Sequence, residues 1–158
     1  MAWRGSTTVG DRIFACLPYL LPLIHAIGFG IALFSTFPAL QVVLVPLVPV
    51  MAVYQSIPFA DLVVFFALFL LVVRNERINH FIRFNTMQAI LLDIIVFLAT
   101  LVLQLLGGVP GAAFTVETLD STIFLGIVAA VAYSVIQSLL GRYAEIPALS
   151  DAVYMQVR

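Results

Sequence analysis

The sequence contains no lysine, a single cysteine and few charges of either sign: seven arginines and eight acidic residues in 158, or 9%. A soluble domain carries about 25% charged residues. So sparse a set cannot hydrate a surface, and lipid must cover most of the chain. A net charge of −1 offers no basic patch to draw in a phosphate backbone, which argues against a nucleic-acid partner. With one cysteine, Cys16, no intramolecular disulfide forms and no soft ligand set for a metal exists. Cys16 reads as a small apolar residue packed in a helix. The HExxH, GxSxG and P-loop patterns are missing too, so no catalytic constellation, metal or cofactor is expected. No internal repeat is visible.

What the sequence has is apolar length: 63% of its residues are hydrophobic. Crossing about 30 Å of hydrocarbon takes about 20 apolar residues. Four stretches approach this, at about 13–34, 57–73, 84–106 and 121–140. They predict an all-α fold, an integral membrane four-helix bundle occupying 13–141, with an N-terminal segment 1–12 and a C-terminal tail 142–158. Ser56 ahead of Pro58 suits a first helical turn, with Asp61 at the positive end of the dipole. Asp120 or Ser121 can cap the fourth span, and Gly141 can stop it. Only twelve residues, including Asp11, precede the first apolar run, which does not read as a transit peptide. That run is also too long for the apolar core of a signal peptide.

The segment 35–55 is apolar but holds Pro38, Pro46 and Pro49 together with Gln41. Prolines remove backbone donors that lipid cannot replace. The expectation here is a short interfacial or re-entrant piece between the first and second spans. Charge supports that choice. With four spans, Arg4, Arg12, Arg74, Arg77, Arg83, Arg142 and Arg158 all fall on one side, and Asp61, Glu117 and Asp120 fall on the other. A fifth span would divide the arginines. The positive-inside rule then puts both termini in the cytoplasm, or in the stroma of a plastid.

Polar residues inside the spans are the candidate functional residues. Asp93 lies ten residues past Arg83, about 15 Å along a helix and near mid-depth. A carboxylate there faces the bundle interior or water. Thr86, Asp93, Thr100 and Gln104 fall within a ~40° arc of the third span, forming a polar stripe. That stripe can serve interhelical hydrogen bonds, line a polar pathway or pass protons. His25 sits at similar depth in the first span, behind Pro18 and Pro22, and can reach Asp93. The fourth span repeats small residues at Gly126, Ala130, Ser134 and Ser138, a face for close helix packing or for an oligomer interface; Tyr133 and Gln137 adjoin it. The loop with Arg74, Arg77, Arg83 and Asn85 is either a topology anchor at the headgroups or a docking surface.

Several stretches resemble a known family. They are Ala15-Cys16-Leu17-Pro18-Tyr19-Leu20-Leu21-Pro22-Leu23, Ser56-Ile57-Pro58-Phe59-Ala60, Phe65–Asn75, the run His80–Ile94, and the tail Ile146-Pro147 with Ser150–Val157. The run from His80 to Asp93 is the most specific. They resemble the Tic-twenty type, the twenty-kilodalton membrane subunit of the translocon at the chloroplast inner envelope, and its cyanobacterial relatives. The resemblance implies a non-enzymatic four-helix subunit of a preprotein import channel. Its partners would be membrane lipid, other translocon subunits, an unfolded preprotein and further copies of itself, and its site would be a multi-pass location in a cyanobacterial membrane or plastid inner envelope. Two readings of the residues compete with it: a scaffold or assembly subunit on a larger membrane complex, and a small-solute or ion transporter built on Asp93 and His25.

Overall fold

A computed structural model describes residues 6–157; Arg4 and Arg158 lie outside the described residues. Every element is helical: α1 Val9–Thr36, α2 Pro38–Ser56, α3 Ala60–Val73, α4 His80–Gly107, α5 Ala113–Leu139 and α6 Leu149–Gln156. Among the described residues four helices, α1, α2, α4 and α5, are long and apolar enough to cross a membrane.

The local chemistry explains these elements. Thr8 and Asp11 form a reciprocal capping box at the start of α1, the Asp11 amide donating to Thr8 Oγ1 and the Thr8 amide to Asp11 Oδ2, so two orphan donors are satisfied. Further along, α1 tightens into 3₁₀ turns at Leu17–Tyr19 and Ile27–Gly30. Pro18 enters the first of these near its N-terminus, where its missing N–H costs least. Asn79 caps α4 by accepting from the Phe81 amide. Past α5, Gly141 takes a left-handed φ of +73°, which a glycine adopts without a Cβ clash.

Interatomic contacts fix how the chain crosses the bundle. At one end, Asn79 Nδ2 donates to Asp11 Oδ2, Arg12 donates to the Leu139 carbonyl, and buried Arg83 donates to the Val73 carbonyl. At the other end, the Phe34 and Phe124 rings meet edge to face, 5.3 Å apart. The chain therefore makes four net crossings, and both ends of its described portion lie at the arginine-bearing end. The second crossing is built from two helices, α2 and α3, separated by the turn Ile57–Phe59, where Phe59 has φ 56°.

The structure adds detail to the sequence reading of the second crossing. The piece expected to be short and interfacial is helical over 19 residues, and none of it is buried. The expected span 57–73 is instead a helix of 8 α and 6 π residues. The prolines are tolerated because of where they fall. Pro38 occupies the first turn of α2, where an amide has no partner to lose; Pro46 lies inside the 3₁₀ portion, and Pro49 falls where that portion passes into the α portion. Other boundaries move as well. Ser56 ends α2 rather than opening the next helix. Asp120 and Ser121 lie inside α5, which starts at Ala113. Arg83 and Asn85 lie inside α4 rather than in the loop.

The main core joins α1, α4 and α5 through Tyr19, Phe29, Leu92, Val96, Phe124 and Ile127. A smaller core seats α6 on α4, with Val153 and Val157 against Phe84, Met87 and Val73. The outward faces carry Ile31, Val42, Leu105 and Phe114, all largely exposed, a surface that lipid must cover.

Candidate functional site

His25 and Asp93 are brought together. His25 Nδ1 lies 2.5 Å from Asp93 Oδ1, linking α1 to α4. The other ring nitrogen, Nε2, lies 3.1 Å from Asp61 Oδ1 on α3. Tyr54, in the last turns of α2, donates its hydroxyl to the same Asp61 oxygen at 2.6 Å and meets the His25 ring edge to face at 5.5 Å. One histidine thus sits between two carboxylates. It satisfies both only by donating from both nitrogens, unless a carboxyl group carries the proton. With an imidazolium and two carboxylates the cluster holds one net negative charge at the level of the bundle's middle, and charge at that depth needs partners or water.

The cluster opens into a groove. A cavity of about 580 Å³ is lined by His25, Asp61, Asp93 and Thr100 with Leu62 and Phe97. A second of about 370 Å³ continues from His25 and Thr100 to Gln104 and Asp120. The polar stripe of α4 is therefore divided. Asp93, Thr100 and Gln104 share this groove, with the Thr100 hydroxyl turned back to the Val96 carbonyl. Thr86 is fully buried and lines a separate crevice.

A second polar group lies inside the bundle. Tyr19 donates to Asn85 Oδ1 at 2.9 Å, Ser138 donates to the same oxygen at 2.8 Å, and Gln88 Nε2 donates to Tyr19 and to Ser134. Asn85 returns its own amide to the Phe81 carbonyl. All five residues are buried, so this network ties α1, α4 and α5 together rather than facing a partner. Two members of the small-residue face, Ser134 and Ser138, belong to it. Ala130 is half-buried against the core, whereas Gly126 is exposed, with open space where a Cβ would project. Arg74 and Arg77 remain exposed in the loop, while Arg83 and Asn85 turn inward. Tyr133 donates weakly to the Glu145 carbonyl, and Gln137 lines a polar hollow at the arginine end.

Sequence reasoning did not find Asp61 and Tyr54 as partners of His25, nor Tyr19 and Gln88 as members of the buried network. The Asn85–Gln88 and Ser134–Ser138 spacings were the available signal, since each puts two hydrogen-bonding groups on one helix face. Among the described residues no group of His, Cys, Asp and Glu could hold a metal ion.

Helices crossing a bilayer around a polar groove define a multi-pass membrane protein. Residues 9–153 match the family described as "Chloroplast import apparatus Tic20-like". The chain is 45% identical to a "Tic20 family protein" of Synechocystis sp., over all of this chain and 99% of that one. It is 32% identical to "Protein TIC 20-II, chloroplastic" of Arabidopsis thaliana, over 96% and 74%. It is 33% identical to "Tic20 family protein Ycf60" of Gracilaria tenuistipitata var. liui, over 95% and 76%. The chain belongs to the Tic20 family.

Proposed function

We propose that this chain is a non-enzymatic membrane subunit of a protein-translocation machinery, and that the groove from Asp61 to Gln104 lies along the path of an unfolded passenger. The observation that carries this reading is the exposed carboxylate. Asp61 keeps 74% of its side-chain surface exposed while bonded to a histidine at mid-depth, and a carboxylate placed there calls for a wet groove. Family membership supplies the class of cargo. The groove is open along its side, and one copy does not enclose a peptide. Other membrane subunits, or further copies of this chain, complete the path. The arginine-bearing end faces the cytoplasm or stroma, in accord with the positive-inside rule.

One observation favours a second reading, a scaffold that docks on a larger membrane complex: α2 is predominantly apolar and none of its residues is buried within the chain. Purification from native membranes in mild detergent separates the two. Co-purification with secretory or import components supports the first, and stable association with a photosynthetic or respiratory complex alone supports the second.

A further inference from the structure

A second crevice runs beside α1, on the face toward α2 and α3, with a volume of about 460 Å³ and an almost wholly apolar wall. It begins at the arginine end, beside Phe14, Ile78 and Ile82, and extends to Ile24, Val50 and Tyr54 near mid-depth. Its size lies within the roughly 300–1,000 Å³ of sites that bury a small organic ligand.

Two features make this more than a gap filled by passing lipid. The loop that contributes Ile78 also carries Arg74 and Arg77, both exposed, and neither guanidinium is engaged by another described residue. Glu76 stands between them, so these three side chains carry a net charge of +1. Within the crevice wall, Thr86 holds the one buried side-chain hydroxyl without a hydrogen-bond partner among the described residues. An unmet hydroxyl in an apolar wall keeps its desolvation penalty, and an acceptor arriving through the crevice removes that cost. Thr86 lies six residues past His80, about 9 Å along the helix, between the headgroup level and mid-depth.

We propose that this crevice holds an acyl chain of an anionic phospholipid from the leaflet at the arginine end. Arg74 and Arg77 meet its phosphate, and Thr86 faces its ester group. Basic side chains beside an interhelical cleft are the usual means of holding such headgroups.

Native mass spectrometry of the full chain, delipidated in mild detergent and offered phosphatidylglycerol or phosphatidylcholine, tests this. The expected result is one phosphatidylglycerol retained per chain. The double substitution R74Q/R77Q reduces its preference over phosphatidylcholine roughly thirty-fold. V64W, which places bulk in the crevice, abolishes retention, and L70W on the outward face does not. Equal retention of the two lipids, or an unchanged preference in R74Q/R77Q, overturns the proposal. So does retention in a folded V64W variant. If V64W fails to fold, the arginine variant, remote from the core, still decides.

Discussion

Replacing Asp93 by asparagine removes the charge from its contact with His25 and keeps the shape. Breaking a fully buried ion pair costs about 3–5 kcal/mol, and a charge-assisted hydrogen bond contributes about 1.5–3 kcal/mol. His25 and Asp93 retain 25% and 16% of their side-chain surface, so the lower range applies: Asp93→Asn should cost about 1.5–3 kcal/mol. The 74% exposed Asp61 should cost under about 1 kcal/mol when changed in the same way, as exposed pairs do. Reversible unfolding in mixed micelles titrated with sodium dodecyl sulfate measures both. Adding His25→Leu alone and combined with Asp93→Asn completes a cycle, which should return a coupling above about 1 kcal/mol. Independent sites add within about 0.5 kcal/mol. A coupling that small, or equal losses at Asp61 and Asp93, would refute the view that α1 and α4 are tied at mid-depth by this pair.

Further predictions concern packing and the buried network. Tyr19→Phe removes a hydroxyl that donates to Asn85 and accepts from Gln88, and should lower stability by about 1–3 kcal/mol in the same unfolding assay. Gly30→Ala places a Cβ 2.7 Å from one Phe34 ring carbon and 3.0 Å from Phe124, and overpacking of this kind costs about 1–3 kcal/mol. Gly126→Ala meets open space and should leave stability unchanged or slightly raised; loss of a chemically crosslinked dimer in that variant would instead mark an oligomer face. Gly141→Ala puts a Cβ in the left-handed region, 2.7 Å from Thr7 Oγ1. It should cost about 1–2 kcal/mol and loosen the contact between Arg12 and the end of α5, seen as faster amide exchange there.

The parts of this architecture that were legible in the sequence are those set by bulk quantities. Hydrophobic length and the one-sided arginines give four net crossings, because bilayer thickness and leaflet potential act on whole segments. The His25–Asp93 contact was also within reach, since depth can be counted along two helices. The helical length of 38–56 was not legible because a proline's cost depends on its position. At a first turn, as with Pro38, the proline removes no bond. Asp61 and Tyr54 were hidden for a different reason. They flank the turn at Phe59, whose left-handed backbone aims two helices toward His25, and nothing in the composition of Ile57-Pro58-Phe59 announces that geometry. The network around Gln88 was missed because the spacings Asn85–Gln88 and Ser134–Ser138 put polar groups on one face of each helix without saying which faces meet. Arg83 was assigned to a loop by its charge, yet it is buried and donates to the Val73 carbonyl that ends the π turn.

The central claim is that the groove of His25, Asp93 and Thr100 lies along a passenger's route. A photo-crosslinking residue placed at Thr100, compared with one at the outward-facing Leu105, in membranes holding an arrested translocating polypeptide, tests it most directly. The account predicts capture of the polypeptide from position 100 and only lipid or neighbouring helices from position 105. Capture from neither position, or equally from both, would contradict it.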